Sequence, residues 1–305
     1  MAQALTQGSA VPAWRPPGPD AVGSAPPRRF ASRDRRIAHA ERVSGRSGAD
    51  PGAFLPCQTV MNRVHDHAQG PTLHPSPLVV AVPGIDNVII VIGGIKGGTG
   101  KTTVTTNLAV LCKASGSVLL IDADEQETAS DFSLLRQESK QGQLDYSTVQ
   151  LRGAEVRDKT LRLRDQFDHI LIDTGGRDTT SQRAALSIAD VFLAPFIPRV
   201  FDMWTLNRVS DLVTEMRAVN PHLRACSFLN RAEARGSDNA AAAEVLSESQ
   251  TLHFLDTSLG NRKAFANAAG QGLAVSELRP RDPKADGEMR ALYQQLFAPG
   301  IGVEA

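Results

Sequence analysis

The residues most able to do chemistry lie in one short stretch. Lys101 and Thr102 follow the glycine-rich run Gly97-Gly98-Thr99-Gly100, and a second lysine, Lys96, precedes it. Val88-Ile-Ile-Val-Ile92, just upstream, has the unbroken apolar character of a buried strand. A strand, a glycine-rich turn and a Lys-Thr pair opening a helix together suit a polyphosphate. Glycines let backbone N–H groups converge on the anion, and the helix N-terminus adds its positive end. Gly97, Gly98, Thr99, Gly100 and Thr103 would line such a cradle. Lys101 would reach the β- and γ-phosphates, and the Thr102 hydroxyl would face Mg²⁺. The plainer alternative is a β–α turn that binds nothing, but the Gly-Lys-Thr run in this context speaks against it.

Two acid-bearing strands accompany the loop. Val118-Leu-Leu-Ile-Asp122-Ala-Asp124-Glu-Gln126 ends in two carboxylates. Phe167-Asp-His-Ile-Leu-Ile-Asp173-Thr-Gly175-Gly176 ends in one, followed by a flexible pair. Taken singly, an acid closing a strand reads as readily as a cap or a structural group. Beside a phosphate loop, Asp173 is expected to hold Mg²⁺ through water at the carboxyl end of its strand, where open α/β sheets place ligands.

The elements that must position these residues alternate. Strand-like runs at Val88–Ile92, Val118–Ile121, His169–Ile172, Val191–Ala194 and Ala225–Leu229 are separated by helix-like segments. One helix face is spelled out by Met203, Leu206, Val209, Leu212, Val213, Met216 and Val219. Continuous apolar strands between helices predict a doubly wound, mostly parallel α/β sheet.

Residues 1–85 differ from the rest. They are Pro-rich and, up to Pro77, carry nine Arg and no Lys against five acids. Such a composition buries too little apolar surface to offset its ordering entropy. We therefore expect 1–85 to be a disordered extension and 86–299 to be the folded domain. The extension reads as a passive segment, with Met61 as a later candidate start, or as a basic arm that touches nucleic acid. Over the whole chain 33 Lys+Arg balance 33 Asp+Glu, so net charge points to no polyanionic partner. No run reaches the ~18 apolar residues of a membrane span. The three cysteines, Cys57, Cys112 and Cys226, form neither a disulfide framework nor a CxxC pair, so a reducing cytoplasm is expected.

The loop departs from the ordinary GxxxxGK[ST] pattern, because Ile95 stands at its first position. It fits KGGxGK[ST] instead, and so resembles the deviant Walker A loop of the ParA/MinD family of P-loop ATPases. The resemblance implies that Lys96 crosses an ATP-sandwich dimer to the partner's phosphates and that Lys101 serves its own. It also implies that Asp124 positions the attacking water and that Asp122 lies beside the metal. Glu125 stands where the family usually has proline. Asn230 matches an adenine-contacting position, although a turn cap explains it equally well. Arg262, with Lys263, matches a DNA-contacting site, although a solvated helix start is the competing account.

Within this family the resemblance is to ParA-type partition ATPases. The last helix, Glu288–Phe297, has one basic residue, so it lacks the basic amphipathic face of a membrane anchor. No paired cysteines, tyrosine-rich tail or guanine-selecting [TN]KxD motif is present. The implied activity is slow ATP hydrolysis to ADP and phosphate, stimulated by a small centromere-binding ParB-like partner. The implied assembly is an ATP-dependent homodimer that binds DNA non-specifically in the cytoplasm, on the nucleoid. The alternatives are a metabolic relative of the cobyrinate amidase or dethiobiotin synthase type, and a nucleotide-gated scaffold without useful turnover.

Overall fold

The computed structural model describes residues 87–298, apart from positions 200, 201, 203 and 236. The expected extension, 1–85, lies outside the described residues, as does Met203. Seven strands form one sheet: β1 (Val88–Ile92), β2 (Val118–Asp122), β3 (Ser147–Gln150), β4 (His169–Asp173), β5 (Val191–Phe196), β6 (Arg224–Ala232) and β7 (His253–Gly260). Their order is β3-β2-β4-β1-β5-β6-β7, with every neighbouring pair parallel. The eight α-helices among the described residues are α1 (Lys101–Cys112), α2 (Thr128–Ser139), α3 (Glu155–Leu163), α4 (Thr180–Leu186), α5 (Leu206–Arg217), α6 (Asp238–Ser247), α7 (Lys263–Ala269) and α8 (Pro283–Leu296). The expected doubly wound architecture is the one found.

Burial on both sheet faces explains the unbroken apolar strands. Successive side chains of β1 enter opposite layers. Val88, Ile90 and Ile92 join Leu108, Leu120, Phe228, Met289 and Leu292 on one face. Ile89 and Val91 join Ile121, Ile172, Phe192 and Val213 on the other. On α5, Leu206, Val209, Leu212, Val213 and Met216 are buried as the spacing predicts, but the helix ends at Arg217 and Val219 is exposed. Helix α8 buries Met289, Leu292, Tyr293 and Leu296, so its apolar face packs on the core. No helix among the described residues is long and apolar enough to cross a membrane.

Two strands were not apparent from apolar runs, and both are sheet edges. Strand β3, Ser-Thr-Val-Gln, has no buried residue. Strand β7 buries only Leu255 and Leu259, on one face, and so alternates instead of running continuously apolar.

A charged cluster ties α2 to the rest. Arg136 is fully buried, and its guanidinium donates to Asp145 at 2.8 and 2.7 Å, to Glu277 at 2.6 and 3.0 Å and to the Gly272 carbonyl at 3.1 Å. Burial works against the Glu277 charge, yet Arg136, Lys140 and the Ala274 N–H hold its carboxyl down to about 2. Because α2 follows directly from the Asp124 loop, this cluster anchors one wall of the site. Arg136→Leu strands two acids that have lost part of their water, so urea unfolding should show a loss of about 2–4 kcal/mol. Since the folded Glu277 value is depressed, its stabilisation is present above about pH 4.5 and disappears as pH falls towards 2. An Arg136→Leu protein as stable as the parent at pH 7 would contradict this role.

Candidate nucleotide site

The carboxyl ends of β1, β2 and β4 meet where the chain changes direction across the sheet, at a topological switch point. The segment between β1 and α1 supplies the glycine loop. Gly100 has φ +87°, and a Cβ there would overlap the Asn230 side chain. A Cβ on Gly176 would come within 2.5 Å of the Gly97 backbone. Glycine is thus required both for the left-handed turn and for the close approach of the two loops.

A cleft of about 1040 Å³ opens over this loop. Its walls include Gly97, Gly98, Gly100, Lys101, Thr102 and Thr103 together with Asp124, Gly175, Gly176, Asn230, Arg262 and Lys263. Folding therefore brings most of the expected site residues to one cleft. Lys96, Thr99, Asp122 and Asp173 do not line it. Thr99 is buried in the loop, and its hydroxyl has no hydrogen-bond partner among the described residues.

At the base of the cleft, Thr102 Oγ1 donates to Asp173 Oδ2 at 2.6 Å and Thr105 Oγ1 donates to Oδ1 at 3.0 Å. Asp173 is fully buried. Burial lifts its pKa to about 7 and nearby Asp122 adds to the rise, while the two threonines and Lys101 oppose it. Burial lowers the pKa of Lys101, against the pull of Asp173 and Asp124. Lys101 Nζ lies 3.0 Å from the Lys96 carbonyl, to which it donates across the loop.

The two acids after β2 are arranged differently. Buried Asp122 accepts from Asp124 N at 3.1 Å and from Ser130 N and Oγ at 2.8 and 2.7 Å. It thus shapes the turn into α2, and its oxygens are engaged there. Asp124 is half-buried and faces Gly175 across the cleft. The all-oxygen pair of Thr102 hydroxyl and Asp173 carboxylate suits Mg²⁺, which takes few protein ligands alongside phosphates and water.

Several engagements were not legible in the sequence. Lys96 Nζ pairs with buried Asp202 at 2.9 Å. Asn230 lies within β6, not after it, and its Nδ2 donates to the Thr99 carbonyl at 2.6 Å. Arg231, at φ 55°, reaches the Gly98 carbonyl at 3.0 Å. Arg262 Nε donates to Glu288 at 2.8 Å, and its Nη2 pairs with the other oxygen of that carboxylate. Lys263 is exposed.

The CobQ/CobB/MinD/ParA nucleotide binding domain matches residues 90–275. The chain belongs to this family. Its members are P-loop ATPases, and the resemblance carried by the loop holds. The maintenance of carboxysome distribution protein A of Halothiobacillus neapolitanus is 25% identical over 209 residues, covering 68% of this chain and 95% of that protein. Protein IncC of Escherichia coli is 25% identical over 238 residues, covering 66% of each. Among solved structures, a Cyanothece McdA variant in complex with ATP aligns with TM-score 0.57 at 22% identity, covering 69% of this chain and 98% of that one. The Pyrococcus furiosus cell division ATPase MinD aligns with TM-score 0.56 at 20% identity, covering 69% and 98%. These structures share the ParA/MinD fold seen here.

Asn230→Ala removes a buried hydrogen bond to the loop even without nucleotide, so it should lower the Tm of the nucleotide-free protein by roughly 3–6 °C. If the Tm is unchanged and only nucleotide affinity moves, Asn230 does not hold the loop.

Proposed function

We propose that this chain is a ParA-type ATPase switch for plasmid or chromosome partition. ATP and Mg²⁺ bind at the glycine loop, two subunits close around two nucleotides, and the dimer holds DNA without sequence preference. A small centromere-binding ParB-like partner stimulates slow hydrolysis, which opens the dimer on the nucleoid. The reaction is phosphoryl transfer to water. Gly97–Gly100 and Thr103 cradle the phosphates, Thr102 would hold the ion and Asp173 would do so through water, and Asp124 positions the attacking water. Lys101 and the partner's Lys96 stabilise the developing charge. Asp122 shapes the loop that presents Asp124. Mg²⁺, when bound, neutralises charge on the transferring phosphoryl group.

The observation that carries this reading is the position of Lys96. It does not line its own cleft and pairs with Asp202, while Lys101 donates across the glycine loop. A lysine surplus to its own phosphates fits a role across a dimer. Its side chain is 38% exposed and that of Asp202 only 3%, so a contact across the dimer has to draw Lys96 away from a buried carboxylate. The likeness to a carboxysome distribution protein supports a positioning switch. So does the fold shared with a Borrelia burgdorferi putative plasmid partition protein bound to AMPPNP, aligned at TM-score 0.53 and 18% identity.

With ATP, Asp124→Ala should accumulate as a dimer with little turnover, whereas Lys96→Ala should stay monomeric by sizing chromatography. A Lys96→Ala protein that dimerises and hydrolyses ATP like the parent would contradict the reading. DNA binding through Arg262 and Lys263 requires Arg262 to exchange Glu288 for phosphate. If the dimer neutralises about four to six phosphates, log affinity should fall against log salt with a slope of about −4 to −5, and Arg262→Ala should flatten it. A metabolic enzyme would bind no DNA, and a scaffold would bind ATP without turnover.

A further inference from the structure

A second cavity, of about 400 Å³, lies at the amino ends of β6 and β7, whereas the glycine loop follows the carboxyl end of β1. Its volume is within the range of small-ligand pockets. Arg217, which ends α5, and Arg224, which begins β6, line it with Cys226, Ser249, Thr251 and His253. No carboxylate lines it. Both arginines thus border the same cavity as the buried Cys226 thiol.

The Arg224 side chain makes no hydrogen bond or ion pair among the described residues, and one of its Nη atoms is shut off from solvent without a partner. Burial lowers the Arg224 pKa, with Cys226 and Asp190 as the only opposing influences. Asp190 is already committed, because its carboxylate accepts from Arg164 at 3.0 Å and from Ile89 N at 2.7 Å. Arg217 spends its Nε on the Leu223 carbonyl, at 3.1 Å. A guanidinium held in a cavity without an acceptor is costly unless something outside the chain supplies one.

We propose that this cavity binds a compact phosphate dianion, free or as the head of a small phosphomonoester, between the Arg217 and Arg224 guanidinium groups. Two fixed positive charges match a dianion better than a single carboxylate, and the planar fork of arginine fits tetrahedral oxyanions. The Thr251 hydroxyl adds a neutral donor at the wall. The site is independent of the nucleotide cleft.

The test is isothermal titration of the full-length protein, saturated with Mg-ADP, with inorganic phosphate and separately with glucose 6-phosphate. At least one of the two should bind saturably at millimolar concentration or below; tighter binding of the ester identifies a phosphometabolite, and tighter binding of phosphate identifies the free ion. Arg224→Met and Arg217→Met should each raise Kd at least about tenfold. Arg224→Lys, which keeps the charge and loses the fork, should fall between parent and Arg224→Met. Mg-AMPPNP in place of Mg-ADP, which also fills the γ-phosphate position, should leave this binding unchanged and so separates it from the glycine loop. Should Arg224→Met fail to fold, Arg217→Met and Thr251→Val carry the comparison. Absence of saturable binding of both anions by the parent, or binding unaltered in the folded arginine variants, would overturn the proposal.

Discussion

The site depends on one buried carboxylate. Asp173 closes the interior strand β4, next to the central β1, with no exposure to solvent, and the hydroxyls of Thr102 and Thr105 on the first turns of α1 satisfy its two oxygens. This contact fixes the start of the helix against the end of the strand, and so fixes the glycine loop between β1 and α1. It is also an electrostatic strain. Desolvation lifts the Asp173 pKa to about 7, and Asp122 on the neighbouring strand adds like charge. Lys101 is the nearby compensating cation, and its own charge is disfavoured by burial. A cleft with this imbalance is suited to groups that bring charges of both signs.

The rest of the structure holds the loop from other sides. Strand β6 contributes Asn230 and Arg231, which bond to the carbonyls of Thr99 and Gly98. Gln182 of α4 accepts from the Gly94 N–H at 3.1 Å and from Thr174 Oγ1 at 3.0 Å. Asp202 takes Lys96. The carbonyls are thereby turned towards these donors and the loop's N–H groups are left for an anion. Such preorganisation lets a phosphate site act without rebuilding itself at each binding event.

The central elements were legible because both sheet faces are covered. Strands β1, β2 and β5 carry runs of four or more apolar residues, β4 carries three and β6 two apolar pairs split by Ser227; β1 lies at its expected limits and the others within three residues of theirs. Strands β3 and β7 carry no continuous apolar signal because an edge strand needs only half its side chains buried, or none. The glycine loop, Asp124 and Asp173 were legible because their chemistry demands particular residues at short, fixed spacing. The engagements of Lys96 with Asp202, Asn230 with Thr99 and Arg262 with Glu288 were not. Their partners are 106, 131 and 26 residues away in the chain, and only the folded topology brings them together. The Arg217–Arg224 cavity is a similar case, since two arginines seven positions apart carry no signal until the turn between α5 and β6 converges them.

The central claim is that the glycine loop binds a nucleoside triphosphate with Mg²⁺ through Lys101. The most direct measurement is equilibrium binding of Mg-ATP to the parent and to Lys101→Ala, with circular dichroism and thermal unfolding to establish that the variant is folded. The parent should bind saturably, and the folded Lys101→Ala protein should show no measurable binding. Equal ATP affinity in the two folded proteins would contradict the account.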